Sequence, residues 1–273
     1  MSQSSQDQEL RPLHLALVLV EPAGPLNVGS VARLCANFSS PQLAIELRLV
    51  APRCNPLAEE AQRMAVHGGG VLAEARHFST LAEALADCSQ VVATSGRGEG
   101  EPREPLALEP ALAWLLAPAI AGLQAPPPIH RPPIHPPPLA LVFGREDRGL
   151  AADELLQAGQ LLRLTTGPGY RSLNLSHAVA VVLHELHHLI EASAGEAPSP
   201  SLELALAPRG AIEALFSDAE ALLMQVGFLY PHTAAARMAK LRGLLQRSGL
   251  SAEEAALLRG MVRQCRWAVD NTP

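Results

Sequence analysis

Three segments of the chain carry residue types that bind anions or position a reacting group. The first is Glu21-Pro22-Ala23-Gly24-Pro25-Leu26-Asn27-Val28-Gly29-Ser30-Val31-Ala32-Arg33. Glycine and asparagine permit a tight turn there, and Ser30 or Asn27 is placed to cap a helix that carries Arg33. Backbone donors at a helix start, with an arginine beside them, suit a phosphate or another polyanion. The plainer reading is a strand-to-helix turn with a solvated arginine. The second is Leu141-Val142-Phe143-Gly144-Arg145-Glu146-Asp147-Arg148-Gly149-Leu150, an apolar run that empties into a glycine and a dense charged cluster. Ligands of open α/β sheets bind at that end of a strand, glycine admits a close backbone approach, and a carboxylate can orient an amine or a neighbouring arginine. The alternative is a charged turn before the next helix. The third runs from Leu164 through Gly167-Pro168-Gly169-Tyr170-Arg171-Ser172-Leu173-Asn174 to Ser176, a loop whose backbone groups could read the edge of an adenine ring.

Two further motifs invite other chemistry. His184-Glu185-Leu186-His187-His188 satisfies H-E-x-x-H, in which two histidines one helical turn apart hold zinc and the glutamate acts on bound water. A zinc hydrolase is therefore an alternative from a different class, but a third ligand is wanting: a metzincin would place Gly and His where this chain has Glu191 and Ala194. Val179, Val182, Leu183, Leu186, Leu189 and Ile190 form an apolar stripe, which puts His177, His184, His188 and Glu191 on the polar face of an amphipathic helix. No metal is expected. His67-Gly68-Gly69-Gly70 matches an esterase oxyanion loop, but the chain has no G-x-S-x-G elbow, nor a G-x-G-x-x-G after its first strand, so a conventional dinucleotide fold is disfavoured.

The elements that must position these segments alternate. Apolar runs at 13–20, 44–50, 90–94, 139–143 and 161–164 read as buried strands, and 28–38, 57–66, 79–87, 151–158 and 175–192 as helices, the pattern of a mostly parallel α/β sheet. Residues 118–138 are rich in proline, which favours an extended insertion over helix or strand. Residues 194–201 read as a linker, and 209–226, 232–247 and 251–268 as three helices of a small C-terminal module within 202–273. Residues 13–193 then form the α/β domain, preceded by a disordered stretch over 1–12.

Composition bounds the partners. The net charge of −6 excludes a basic coat for nucleic acid, although placed contacts survive that test. Residues 198–273 hold 8 Lys/Arg against 7 Asp/Glu, so the acidity resides in the first two-thirds. Lys240 is the only lysine; the other 20 basic residues are arginines, a bias that phosphate recognition or genome composition can produce. Four scattered cysteines suggest a reducing compartment, and MSQSSQDQEL has no basic region of a secretory leader, so a soluble cytoplasmic protein without membrane association is expected.

Taken jointly, N-x-G-S-x-A-R from Asn27 to Arg33, L-V-F-G-R-E-x-x-G-L from Leu141 and S-L-N-L-S from Ser172 resemble, in order and spacing, the three motifs of the SpoU/TrmH branch of the SPOUT RNA 2'-O-ribose methyltransferases. Thr94-Ser95-Gly96-Arg97 is similar to the T-S-A-R of the TrmJ subgroup, which methylates nucleotide 32 of tRNA, and Gly227-Phe228-Leu229 with Leu258-Arg259-Gly260-Met261 resembles its helical extension. The resemblance implies a parallel sheet with a deep trefoil knot, a homodimer, tRNA as substrate and S-adenosylmethionine as cofactor. It implies catalytic roles for Arg33, Glu146 and Asn174, and a cofactor pocket of Thr94, Ser95, Gly96, Gly144, Leu164, Arg171, Ser172 and Leu173. RNA contacts would come from Asn27, Arg33, Arg97, Arg145 and Arg148. Arg171 departs from the subgroup, whose motif has a serine there. A methyltransferase for another tRNA position or for ribosomal RNA, and a non-catalytic RNA-binding protein, are the alternatives within reach.

Overall fold

The computed structural model describes residues 12–96, 101–123, 137–167, 172–194, 206–248 and 250–271. Six strands form one parallel sheet: β1 (Leu13–Val20), β2 (Leu43–Val50), β3 (Arg76–Phe78), β4 (Val91–Thr94), β5 (Leu139–Phe143) and β6 (Gln160–Leu162), in the order β3-β2-β1-β5-β4-β6. β2 and β3 extend the sheet on one side of β1; on the other side β5 returns to fill the place between β1 and β4, and β6 closes that edge beyond β4. Ligands of open α/β sheets bind beyond the carboxyl ends of the strands.

Helices cover both faces, which is why the central strands are apolar without alternation. Leu13, Leu15, Leu17 and Leu19 of β1 pack with α1 (Pro25–Phe38), α5 (Leu108–Leu123) and α7 (Leu175–Ala194). The intervening Ala16, Val18 and Val20 face α4 (Leu81–Leu85) and α6 (Ala152–Leu155). α2 (Glu59–Ala65) crosses α1, and a 3-10 turn (Val66–Gly68) leads into α3 (Gly69–Ala73). That turn holds His67-Gly68-Gly69-Gly70: a Cβ on Gly68 would lie 2.7 Å from the carbonyl of Ala32 and from Arg33 Cα, so glycine here serves helix packing.

One expectation needs correcting, and one strand lies where none was expected. Part of the proline-rich stretch is helical, because α5 runs through Pro118 to Leu123. Ala111, Leu112, Leu115 and Leu116 are buried in the core, and packing of that face carries the helix past a residue that propensity alone would make its end. β3 carries no apolar run: Arg76 and His77 are exposed on a three-residue edge strand. Residues 1–11, 124–136 and 195–205, where the disordered start, most of the insertion and most of the linker were expected, lie outside the described residues.

The C-terminal helices α8 (Arg209–Gln225), α9 (Ala234–Ser248) and α10 (Ala252–Asp270) enclose a small core of Ile212, Phe216, Leu229, Ala234, Met238 and Ala255. α8 starts against the α/β layer, where the N–H groups of Arg209 and Gly210 donate to the carbonyls of Cys88 (2.7 Å) and Ala86 (2.8 Å). No helix among the described residues is long and apolar enough to cross a membrane.

Candidate active site

A cleft of about 820 Å³ opens beyond the C-terminal ends of β4, β5 and β6. Its walls include Thr94, Ser95 and Gly96 after β4, Phe143 to Leu150 after β5, Leu164 to Thr166 after β6, and Ser172, Leu173 and Leu175 at the start of α7. Thus Thr94, Ser95, Gly96, Gly144, Leu164, Ser172 and Leu173, far apart in the chain, come together around one space. Arg171 and Arg97 lie outside the described residues.

The walls are held by bonds within the chain. Thr94 Oγ1 donates to the carbonyl of Val142 at 3.1 Å, and the N–H of Ser95 donates to that of Leu162 at 2.8 Å. Gly144 admits a close approach, but its own turn makes it. A Cβ there would lie 2.4 Å from the carbonyl carbon of Gly149, which itself has φ +67° and donates its N–H to Arg145 O at 2.9 Å. The cleft also contains a residue that sequence reasoning missed. Glu101, with a side chain 8% exposed, accepts from Ser95 Oγ and pairs with Arg163 at 2.6 Å. Nothing in the surrounding prolines and alternating charges marks it; only the return of the chain to β4 reveals it.

Glu146 organises the entrance to α1. Its carboxylate accepts from the N–H of Ala23 (3.1 Å), the N–H of Gly24 (3.2 Å) and Asn27 Nδ2 (3.0 Å). Partial burial raises its pKa, but the bonds from Asn27, Ala23, Gly24 and its own backbone outweigh this and hold it below the usual carboxylate value. Asn27 passes the connection on, because its Oδ1 accepts from Asn174 Nδ2 at 3.0 Å. Asn174 Oδ1 in turn accepts from the N–H of Ser176 at 2.9 Å and caps α7. A carboxylate, two amides and the starts of two helices form one relay.

The expected cap of α1 is not what is found. Pro25 takes the first helical position, as its fixed φ and missing N–H favour, and Gly24 precedes it with no side-chain cap. Asn27 therefore sits inside the first turn, and Ser30 Oγ donates back to Leu26 O at 2.8 Å. Arg33 follows on the exposed side of the helix, with no hydrogen bond or ion pair among the described residues, and it does not line the cleft of its own chain.

Arg145 and Arg148, both expected to face RNA, differ sharply. Arg145 is 9% exposed and forked between two carboxylates, Glu154 at 2.8 and 2.9 Å and Glu21. Its side chain is turned inward and tied there. Arg148 is 54% exposed, lines the cleft and reaches Glu21 at 3.3 Å.

The H-E-x-x-H segment lies along α7. His177, His184, His188 and Glu191 are exposed, while His187 packs edge-on against Phe38 and pairs with Glu191 at 3.2 Å. Among the described residues no three His, Cys, Asp or Glu side chains are grouped to hold a metal ion.

A parallel α/β domain with its ligand cleft at the carboxyl ends of the strands, followed by a helical extension, is the class of protein that fold and site define. The SpoU rRNA Methylase family matches residues 14–184, and the C-terminal domain of tRNA methyltransferase TrmJ matches residues 210–272. The chain belongs to the SpoU methylase family. It is 33% identical over 254 residues to the tRNA (cytidine/uridine-2'-O-)-methyltransferase TrmJ of Klebsiella pneumoniae, covering 91% of this chain and 95% of that one. To the tRNA (cytidine-2'-O-)-methyltransferase TrmJ of Methanocaldococcus jannaschii it is 35% identical over 173 residues, 63% of this chain and 67% of that one. The crystal structure of TrmJ from Z. mobilis ZM4 superposes with a TM-score of 0.69 at 29% identity, over 92% of this chain and 98% of that one.

Proposed function

We propose that the chain is an S-adenosylmethionine-dependent tRNA 2'-O-ribose methyltransferase that modifies cytidine or uridine at nucleotide 32 of the anticodon loop, in the cytoplasm, as a homodimer. One observation carries this reading: the segments after β4, β5 and β6, each with a motif of this family, converge on a single cleft. Its volume of about 820 Å³ suits a nucleoside-sized ligand, since small-molecule sites span roughly 300–1,000 Å³. Phe143, Leu164, Leu173 and Leu175 offer apolar surface for a base, and Glu101, Arg163 and Arg148 offer charges for a zwitterionic tail. When bound, the cofactor supplies an activated methyl group to a ribose oxygen.

The task left to the protein is positioning and charge. A 2'-hydroxyl oxygen must approach the methyl group in line and release its proton to solvent water as the new O–C bond forms and the S–C bond breaks, and an oriented cation beside it stabilises the oxygen as charge develops. Arg33 fits that part better than the part of a base, because a guanidinium does not give up its proton near neutral pH. Glu146 acts through Asn27, fixing the start of the helix that carries Arg33. The division into an α/β domain over 13–193 and a helical tRNA-binding module over 202–273, and the trefoil knot, belong to the same reading. Arg148 contacts RNA in this reading, and Arg145, tied between Glu21 and Glu154, holds the loop. Nucleotide 32, rather than another position in tRNA or ribosomal RNA, rests on the likeness to the TrmJ subgroup.

Transfer of labelled methyl groups to tRNA transcripts, followed by mapping of the modified nucleotide, tests the proposal. Arg33→Ala is expected to lower kcat by about 10²–10³-fold, the usual loss for one electrostatic donor, with cofactor affinity and oligomeric state unchanged. Full activity in that variant removes Arg33 from the mechanism. Failure of the wild-type chain to bind S-adenosylmethionine, or stoichiometric zinc in the purified protein, refutes the proposal itself.

A further inference from the structure

The turn between α8 and α9 exposes aromatic rings that the helical core does not use. Leu229 is 2% exposed and anchors the turn in that core. On either side of it Phe228 and Tyr230 remain 54% and 52% exposed. Large apolar rings left in water need a reason, and here each has a polar companion. The Arg237 guanidinium lies over the Phe228 ring, 5.4 Å from its centre, and Tyr230 stacks on His232 with centroids 6.0 Å apart and planes 23° from parallel.

The rings are held in place before any ligand arrives. The N–H groups of Phe228 and Leu229 both donate to Leu223 O at 3.0 Å, and Gly227 takes the φ of +76° that reverses the chain. Arg237 Nη1 donates to Phe228 O at 2.5 Å. The Tyr230 carbonyl accepts from the N–H groups of Thr233 (2.8 Å) and Ala234 (2.9 Å). A rigid platform loses little conformational entropy when something stacks on it.

The electrostatic setting selects what that is. α9, which leaves the turn, holds Arg237, Lys240, Arg242 and Arg247 and no acidic residue, in a chain whose net charge is −6. Arg242 is engaged by Glu213 and by the Phe216 ring, whereas Arg237 and Lys240, one turn apart, are exposed. Exposed π faces beside a cationic helix suit a ligand that alternates flat rings with negative charges, the chemistry of unpaired nucleotides. We infer that the α8–α9 turn is a base-stacking subsite for single-stranded nucleotides of the RNA substrate, with Phe228 and Tyr230 taking bases and Lys240 and Arg237 the adjoining phosphates. The inference rests on RNA being the substrate, and it places a second point of grip on the helical module, apart from the methyl-transfer cleft.

Fluorescence anisotropy with the full-length chain, a labelled tRNA transcript and a fully paired RNA duplex tests it. Phe228→Ala and Tyr230→Ala are each expected to weaken tRNA binding about tenfold, within what one base stacked on an aromatic ring contributes, and to leave duplex binding unchanged. Tyr230→Trp restores affinity, because the subsite needs a ring and not the hydroxyl. Lys240→Ala flattens the dependence of log K on log salt by about 0.7, the amount for one phosphate contact on a single strand, while Tyr230→Ala leaves that slope alone. Cofactor affinity, the helical circular-dichroism signal and the melting temperature stay at the wild-type values in all four variants, which reports an intact fold in both the α/β domain and the helical module. Unchanged tRNA affinity in both alanine variants overturns the inference, as does a loss of dimer in sedimentation at wild-type tRNA affinity, since the rings would then face a second copy. Because tRNA binding is read without methyl transfer, this failure is separate from failure of the proposed activity.

Discussion

Arg145 and Arg148, three residues apart after β5, share Glu21 as a neighbour and differ in solvent. Glu21 closes β1 with a φ of +45°, a backbone region that costs a non-glycine residue energy and is kept where the surroundings impose it. The hydrogen bond from Arg145 holds the Glu21 carboxyl down to about 2 from its ordinary 4.5, against the opposing effect of partial burial. A depressed folded-state pKa stabilises above the unfolded value and loses that contribution as pH falls through the interval. Thermal melts between about pH 5 and pH 2 should therefore show a steeper loss of stability in wild type than in Arg145→Met, because the variant's Glu21 keeps only the weaker pull of Arg148 and Arg53. At neutral pH the variant should be destabilised on the order of 3 kcal/mol, since Glu21 and Glu154 lose their shared cation in a partly buried site. Parallel pH profiles for the two proteins would show that the pair does not couple to folding. Arg148, 54% exposed, is expected to add little to stability.

At the scale of elements, the position of Arg33 depends on how closely α1 meets α2. A Cβ on Gly29 would lie 2.1 Å from the carbonyl oxygen of Ala61, so the crossing exists only with glycine. Gly29→Ala must push the helices apart, at a cost of about 1–3 kcal/mol for overpacking, and the shift displaces the helix that carries Arg33. Denaturant melts should give that loss, and methyl transfer should fall by more than cofactor affinity does; unaltered stability would mean the crossing has slack. Such crossings are where sequence reading stops. The buried strands were legible because Leu13–Val20 and Leu139–Phe143 are apolar runs of strand length, and the long amphipathic helices because their stripes repeat at helical spacing. β3 was not, since an edge strand of three residues with two exposed has no pattern to read. The cap of α1 was misread because Asn27 and Ser30 look like local caps, whereas the bonds to Ala23 and Gly24 come from Glu146, more than a hundred residues later. Glu101 was invisible for the same reason: its partners Ser95 and Arg163 meet it only in the folded chain.

Across the whole molecule, the cleft and Arg33 pose a geometric question. Arg33 is exposed, unpaired among the described residues and absent from the lining of its own chain's cleft, yet the proposed chemistry needs it beside the acceptor oxygen. The family likeness implies a homodimer in which each α1 presents Arg33 to the other chain's cleft, and we propose that arrangement here, since a symmetric interface makes the two exchanges identical. Complementation separates the arrangements. One variant, Arg33→Ala, keeps an intact cleft; the other, Ser172→Trp, fills the cleft from an exposed lining residue and keeps Arg33. Each homodimer should be inactive. Co-expressed with different tags, the two should form mixed dimers in which one of the two sites is complete, so random pairing restores roughly a quarter of wild-type activity. If Arg33 serves its own chain, every site in the mixture carries a defect and no activity returns. Purifying the doubly tagged dimer sharpens the contrast, because all the recovered activity must then reside in that species and vanish when the dimer is separated.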